Sequence, residues 1–164
     1  MSQVSINFYT NIYKDDVVNL IINIQRNEFL TPIELDNQPD LKEIDKTYQI
    51  NKGNFWIAAD VEKLVGTIGL IDIGNSQGAL RKMFVAKEYR GKEFGVGQAL
   101  LNNLIDWAKN KNIGELLLGT TEKFIGAQRF YEKNGFIEIQ KKHLPEEFPI
   151  MDVDVKFYRF SVPG

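Results

Sequence analysis

The 164-residue sequence contains no cysteine and a single histidine, His143. Without cysteine the chain cannot form a disulfide, a thiolate metal site or a cysteine nucleophile. One histidine argues against a zinc site built from histidines and against a serine–histidine catalytic apparatus. We therefore expect a protein that works without a metal.

Excess charge of one sign and long apolar runs are missing as well. The 20 basic and 22 acidic side chains leave a formal net charge of -2, so no strong positive field attracts nucleic acid. No apolar run reaches the length of a membrane span, and the first residues lack the basic and apolar regions of a signal peptide. The length suits one domain, residues 1–164. We expect a soluble, cytoplasmic, single-domain protein with neither nucleic acid nor a membrane as partner.

The spacing of apolar residues predicts an α+β fold. Alternation with period two indicates strands, and recurrence every three or four residues indicates helices. A helix between two strands near the middle implies a parallel crossover in a mostly antiparallel mixed sheet. The predicted elements are a strand over 4–9, helices around 17–24 and 39–48, strands over 53–60, 64–73 and 79–85, a helix to about 110, a strand over 115–120, a helix over 124–134, and strands over 136–140 and 150–160.

A basic, glycine-rich turn lies between the strand over 79–85 and the helix that follows it. Gly91, Gly95 and Gly97 let the backbone approach a ligand closely, and Arg90 and Lys92 add positive charge. The first N–H groups of the next helix carry partial positive charge. This combination predicts a site for a phosphate or pyrophosphate.

Three known glycine motifs do not fit this turn. A P-loop needs lysine followed by serine or threonine, where this chain has Gln98 and Ala99. A dinucleotide-binding fingerprint needs a small residue at the position of Leu100. A protein-kinase loop needs a far longer chain. The remaining alternatives are a ligand-binding turn of another kind or a tight strand-to-helix connection without a ligand.

Two motifs occur in the second half of the chain. The first is MFV at 83–85, followed by YRGK at 89–92 and GVGQALL at 95–101, and the second is AQRFYEKNGF at 127–136. They resemble motifs of the GCN5-related N-acetyltransferase (GNAT) superfamily, in which the first is similar to the acetyl-coenzyme A motif. The order of predicted elements also matches the family across essentially the whole chain. The resemblance implies a GNAT-like fold, with a mixed, mostly antiparallel sheet of about seven strands and four helices.

The resemblance also implies a binding site for acetyl-coenzyme A as cosubstrate. Phe84 and Val85 would hold the pantetheine arm through backbone hydrogen bonds. The pyrophosphate would be surrounded, chiefly by main-chain N–H groups, by Arg90, Gly91, Lys92, Gly95, Val96 and Gly97.

This chain departs from the family pattern at two places. Glu93 and Phe94 are two extra residues if the motif is aligned on Arg90 rather than on the glycines, and we expect Glu93 to point to solvent. The family often has asparagine where this chain has Phe124, so a polar contact to the cofactor arm is either missing or supplied by Thr120 or Thr121.

Direct acetyl transfer requires a neutral amine, a polarised thioester carbonyl and a protonated leaving thiolate. A backbone N–H of Phe84 or Val85 could polarise the carbonyl. By its place in the second motif, Tyr131 is the candidate general acid, since a phenol can protonate a thiolate. The alternative is that Phe130 and Tyr131 are ordinary core aromatics. The sequence leaves the general base open among several carboxylates, and we expect His143 to be a surface residue. These carboxylates are Glu28, Glu34, Asp72, Glu115 and Asp152.

The predicted function is transfer of an acetyl group from acetyl-coenzyme A directly to the primary amine of an unidentified acceptor. The alternatives are a non-catalytic acyl-coenzyme A sensor and a nucleotide-binding domain. Acidic residues in the segments expected to line the acceptor groove would attract a cationic amine, polyamine or lysine, or they form an ordinary solvated face. A homodimer paired through the last strand is also compatible with the sequence. The acidic residues are Glu34, Asp36, Asp40, Glu43, Asp45, Glu146, Glu147, Asp152 and Asp154.

Overall fold

The structure, a computed structural model, describes residues 4–31, 33–91, 95–151 and 153–164. The predicted cofactor residue Lys92 lies outside the described residues, together with Glu93 and Phe94 of the same turn. Asp152, one of the candidate bases, also lies outside them. None of the helices in the described ranges is long and apolar enough to cross a membrane.

The described residues form one seven-stranded mixed sheet, which confirms the predicted fold class. Neighbouring strands follow the order β1-β2-β3-β4-β5-β7-β6. The β4–β5 pair is parallel and the other neighbours are antiparallel. The strands are β1 (Val4–Phe8), β2 (Asn54–Asp60), β3 (Lys63–Gly74), β4 (Gln77–Val85), β5 (Glu115–Thr120), β6 (Ile137–Ile139) and β7 (Lys156–Ser161).

Four α-helices occur in the described residues, as predicted. They are α1 (Lys14–Asn23), α2 (Ile44–Tyr48), α3 (Val96–Asn110) and α4 (Ile125–Lys133). Helix α1 continues directly into a π-helical turn, Ile24–Glu28. Such turns are rare and often occur at functional sites.

Helices cover both faces of the central strands. Successive side chains of a strand point to opposite faces, and in β2 both sets are buried. Trp56 and Ala58 belong to the core cluster that contains α3. Phe55 and Ile57 belong to the cluster that contains α1 and α2. The strong apolar content of β2 therefore follows from burial on both sides.

Strands β4 and β5 separate soon after they meet. They pair only from Gln77–Ala79 with Glu115–Leu117. Further along β4, the register to β3 shifts between the pairs Thr67–Phe84 and Gly69–Arg81, and Lys82 has a positive φ of 53°. A β-bulge bends its strand and increases the local twist. The bulge therefore lies where β4 diverges from β5 and a gap opens in the sheet.

The prediction of a last strand over 150–160 is wrong in its first half, because β7 begins only at Lys156. Before it, the Asp154 N–H donates to the Met151 carbonyl at 3.0 Å. Ile150 and Val155 are exposed, so their apolar character does not reflect a buried strand face.

Candidate active site

A cavity of about 580 Å³ occupies the open end of the gap between β4 and β5. We call it the larger cavity. Its walls come from the end of β4, the glycine turn and the first turns of α3 and α4. Most of the predicted cofactor residues line it: Phe84, Val85, Arg90, Gly91, Gly95 and Gly97.

Val96 takes a different position from the other predicted residues. Its side chain is 1% exposed and packs in the core, where its methyl groups face Gly66. The Val96 side chain is therefore a core group, and this residue does not line the larger cavity.

The glycines of the turn leave room for a ligand near the backbone. Gly91 and Gly95 have φ values of 108° and 61°, in the region that side chains disfavour. A Cβ placed on either would meet no described atom within 4 Å, so the described residues leave space beside both glycines. Gly95 is the N-cap of α3, and the first N–H groups of a helix have no acceptor within it. Gly95 and the start of α3 therefore have the geometry of an anion site.

Arg90 is already paired in this structure. Its guanidinium makes a two-point ion pair with the Glu28 carboxylate, with 3.0 Å between Nη2 and Oε2. Its Nε–H donates to the Val85 carbonyl at 2.8 Å, and its charge lies over the Phe29 ring. Arg90 thus joins the glycine turn to the π-helical turn that carries Glu28.

A second cavity of about 80 Å³ lies beside the larger one, deeper in the gap. We call it the smaller cavity. The two share Met83, Phe84, Phe124 and Ala127 in their walls. The Phe124 ring lies 4.6 Å from that of Phe29 and 6.1 Å from that of Phe84, in edge-to-face contacts. An aromatic group therefore stands where the family often has asparagine.

Thr120 and Thr121 are the other candidates for a polar contact to the cofactor arm. Thr120 and Thr121 line the smaller cavity and do not belong to the wall of the larger one. Both are buried. These two residues therefore belong to the smaller cavity and not to the wall along which the cofactor arm is predicted to lie.

Tyr131 lines the smaller cavity, one helical turn after Ala127 on α4. It is 5% exposed and packs against Phe130, Phe136 and Tyr158. Burial raises the pKa of its phenol well above the ordinary value. The group is therefore protonated at neutral pH and can act only as a proton donor in its resting state.

Lys82 reaches the smaller cavity from the bulge of β4. Its Nζ donates to Gln38 Oε1 at 2.7 Å and lies 3.5 Å from Asp40 Oδ2. The Gln38 side chain is held in turn by a reciprocal amide pair with Gln25, at 3.0 and 2.8 Å. Asp40 also accepts a hydrogen bond from the Tyr48 hydroxyl at 2.6 Å. Burial lowers the pKa of Lys82 to about 8, although Asp40 opposes the shift.

Three further polar side chains line the smaller cavity. Asp154 accepts a hydrogen bond from the Met151 N–H at 3.0 Å, and burial raises the pKa of its carboxyl. Arg81 lies nearby, and no described carboxylate is within ion-pairing distance of it. Thr31 is 6% exposed, and its hydroxyl has no hydrogen-bond partner among the described residues.

None of the described carboxylates that the sequence offered as a base lines the smaller cavity. Glu28 pairs with Arg90, Glu34 is exposed near Arg26, and Asp72 accepts the Gly74 N–H in a turn. Glu115 lies at the opposite end of β5, where it pairs with Arg159. His143 is exposed, as expected. Among the described residues, the carboxylate that lines the smaller cavity is that of Asp154, which the sequence indicated only as part of the acidic groove.

Sequence reasoning missed the cations and the hydroxyl of the smaller cavity. Arg81 and Lys82 were detectable, because adjacent charges are unusual in a strand predicted to lie inside a meander. Thr31 and Gln25 carried no such indication. They come from a loop and a π-helical turn, whose positions depend on tertiary packing.

The model of the acetyltransferase (GNAT) family matches residues 18–136. A crystal structure of a GNAT-family acetyltransferase from Staphylococcus aureus Mu50 has a TM-score of 0.94 and 43% identity, over 98% of this chain and 100% of that chain. An acetyltransferase from Streptococcus agalactiae has a TM-score of 0.89 and 32% identity, over 95% of this chain and 96% of that chain.

Curated relatives are more distant. N-acetyltransferase 8B from Rattus norvegicus is 30% identical over 103 residues, which are 59% of this chain and 46% of the relative. The chain spans about half the length of the curated relatives it matches.

Proposed function

Because the chain belongs to the GNAT acetyltransferase family, we propose that it is an acetyl-coenzyme A-dependent N-acetyltransferase acting on the primary amine of a small acceptor. The observation that carries this proposal is the meeting of two cavities at Phe84 and Phe124. One cavity suits a long cofactor with a pyrophosphate, and the other suits a small polar group beside Tyr131. The acetyl group and the amine would meet at their shared wall.

The residues of the larger cavity fit acetyl-coenzyme A, which supplies the acetyl group as an activated thioester. The open backbone at Gly91 and Gly95 and the start of α3 would hold the pyrophosphate. The free edge of β4 at Phe84 and Val85 would bind the pantetheine arm by strand-like hydrogen bonds. Lys92 remains part of this proposal on the resemblance alone.

In the proposed reaction, the amine nitrogen bonds to the acetyl carbon while the carbon–sulfur bond breaks. Tyr131 donates its phenolic proton to the departing sulfur. Asp154 accepts a proton from the acceptor ammonium, for which its raised pKa makes it a stronger base than an exposed carboxylate. Of the two protons that the ammonium loses, one restores Tyr131 through solvent and the other is released.

The test of the proposed function is thiol release from acetyl-coenzyme A across a panel of amines. We expect Tyr131→Phe to lower kcat by about 10²-fold or more with little change in the KM for acetyl-coenzyme A. The matched control is Tyr158→Phe, whose hydroxyl donates to Glu132 at 2.7 Å and lines neither cavity. Undiminished turnover by Tyr131→Phe would show that this phenol is not the acid.

Thermal shifts separate the proposal from its rivals. Coenzyme A and acetyl-coenzyme A should raise the Tm, because a ligand that binds the folded state stabilises it. Stabilisation by ATP but not by coenzyme A would contradict the proposal and favour a nucleotide-binding domain. A sensor would bind coenzyme A without any thiol release.

A further inference from the structure

The smaller cavity carries charges of both signs on opposite sides of the gap. Lys82 and Arg81 come from β4. Asp154 packs against β5, where a Cβ on Gly119 would lie 2.8 Å from its carboxylate. The charges influence one another, since Arg81 and Lys82 both oppose the rise in the pKa of Asp154. Neither cation makes an ion pair with Asp154, so a ligand can bind between them.

The Lys82 ammonium has more N–H donors than strong hydrogen-bond acceptors among the described residues. It has three N–H donors, and Gln38 takes one at 2.7 Å. Asp40 lies at the longer distance of 3.5 Å and already accepts from Tyr48. The nearest group to the third donor is the Met151 thioether, at 3.6 Å, which is a weak acceptor. Although Asp40 pairs with the ammonium, one donor is therefore left with a weak acceptor and can donate to a ligand anion instead.

The Thr31 hydroxyl gives a second, independent indication of a ligand. Buried hydroxyl groups almost always have hydrogen-bond partners, and this one has none among the described residues. It lines the same cavity as Lys82. Both groups can donate to one carboxylate.

The position of Lys82 is set before any ligand binds. The Gln25–Gln38 amide pair fixes the oxygen that accepts from Lys82, and all three side chains are buried. A donor held in place by buried neighbours loses little freedom when it binds a ligand. The π-helical turn that supplies Gln25 is therefore part of the site.

We propose that the acceptor is a small amino acid or a close analogue, with its carboxylate bound by Lys82 and Thr31 and its amine facing Asp154. This inference rests on the proposed function. A volume of about 80 Å³ admits only a small group. Arg81 adds positive charge on the carboxylate side.

The alternative of a polycationic acceptor fits this cavity less well. The exposed acidic residues of the expected groove, such as Glu34, Asp36 and Glu146, do not line it. A polyamine or a lysine-rich segment would place positive charge against Lys82 and Arg81. Like charges at close range in a buried site are unfavourable.

The experiment compares free amino acids with their amides and with the corresponding decarboxylated amines, all assayed by thiol release. We expect the wild type to prefer the free amino acids by at least about tenfold in kcat/KM. Thr31→Val and Lys82→Met should reduce this preference, mainly by raising the KM of the amino acid. Thr47→Val and Lys109→Met, which lie away from both cavities, are the matched controls.

Thr31→Val keeps the test decisive if Lys82→Met fails to fold. Removing a buried hydroxyl that has no partner should raise the Tm, by about 2–4 °C, while it weakens amino acid binding. A threonine with a purely structural role would lower the Tm instead. A lower Tm of Thr31→Val, together with an unchanged preference for free amino acids, would show that Thr31 does not bind the carboxylate.

The outcomes distinguish this inference from the proposed function. If amides and decarboxylated amines react as well as the free amino acids, the carboxylate site is wrong and the acetyltransferase proposal stands. If coenzyme A does not bind and no acceptor gives thiol release, the proposed function itself fails. An unchanged preference in both variants would also refute the carboxylate site.

Discussion

Arg90 lies where the sequence predicts it, but its side chain is already paired with other groups of the protein. It lies in the wall of the larger cavity, but its guanidinium is paired with Glu28 and its Nε–H with the Val85 carbonyl. A pyrophosphate would have to compete with Glu28 for this charge. The pairing would therefore reduce the contribution of Arg90 to the proposed cofactor binding.

Removal of the competing charge should strengthen binding. We predict that Glu28→Gln binds coenzyme A about two- to fivefold more tightly, the range expected for a partly exposed ion pair. Isothermal titration calorimetry at low and high salt measures this, and the gain should shrink as salt screens the charges. Glu34→Gln is the control, since Glu34 pairs with Arg26 on the adjacent loop. Weaker binding by Glu28→Gln would mean that Glu28 supports the site.

The residues of the site differ in how well the sequence predicts them. Tyr131 and the glycines lie in contiguous motifs, so local order is enough to place them at one end of the gap. Lys82, Thr31 and Asp154 are separated in the chain and meet only because the sheet divides between β4 and β5. They come together only in the folded structure, so a local sequence pattern cannot predict that they share a cavity.

At the scale of the element, the start of α3 combines a left-handed backbone position with part of the wall of the larger cavity. Gly95 has a φ of 61°, and its neighbour Gly97 lies in the first turn of the helix. A Cβ on Gly97 would lie 3.4 Å from the Met83 Cε, an ordinary contact. The backbone conformation therefore favours glycine at position 95, whereas position 97 has room for alanine.

We predict opposite effects on stability from two alanine substitutions. Gly95→Ala should lower the free energy of unfolding by about 1 kcal/mol, because a left-handed conformation is unfavourable for alanine. Gly97→Ala should raise it by about 0.5–1 kcal/mol, since alanine favours a helix. Both should weaken coenzyme A binding, because each adds a methyl group to the wall of the larger cavity. Urea unfolding and calorimetry measure the two properties, and unchanged binding in both variants would exclude the turn from the cofactor site.

Most elements follow from apolar spacing, and the exception has a physical cause. The helix over 96–110 repeats its buried residues at helical intervals, so its prediction is robust. The segment over 150–155 also contains apolar residues, but Asp154 forms a turn with Met151 that prevents extension of the strand. A binary pattern does not distinguish a strand from a loop that lines a cavity.

At the scale of the whole molecule, the buried Lys82 should make stability depend on pH. Its pKa is lowered from 10.5 to about 8 in the folded state, so the unfolded chain binds more protons between these values. The contribution of Lys82 to the free energy of unfolding therefore rises with pH, by about 1 kcal/mol between pH 8 and pH 9. As the pH approaches 10 the trend reverses, because the pKa values of Tyr9, Tyr48, Tyr131 and Tyr158 are raised in the folded state and the unfolded chain loses those protons first.

Urea unfolding of the wild type and of Lys82→Met at intervals from pH 7 to pH 10 measures this dependence. The rise should be present in the wild type and absent in the variant. A flat wild-type profile would show that Lys82 keeps an ordinary pKa in the folded protein.

The short pairing between β4 and β5 has a mechanical consequence. Only residues 77–79 and 115–117 join the two parts of the sheet by parallel ladder bonds, and β4 beyond them has an unpaired edge. A ligand bound in the gap would contact both parts of the sheet where strand hydrogen bonds are missing. The sheet would then be more rigid with substrates bound than without them.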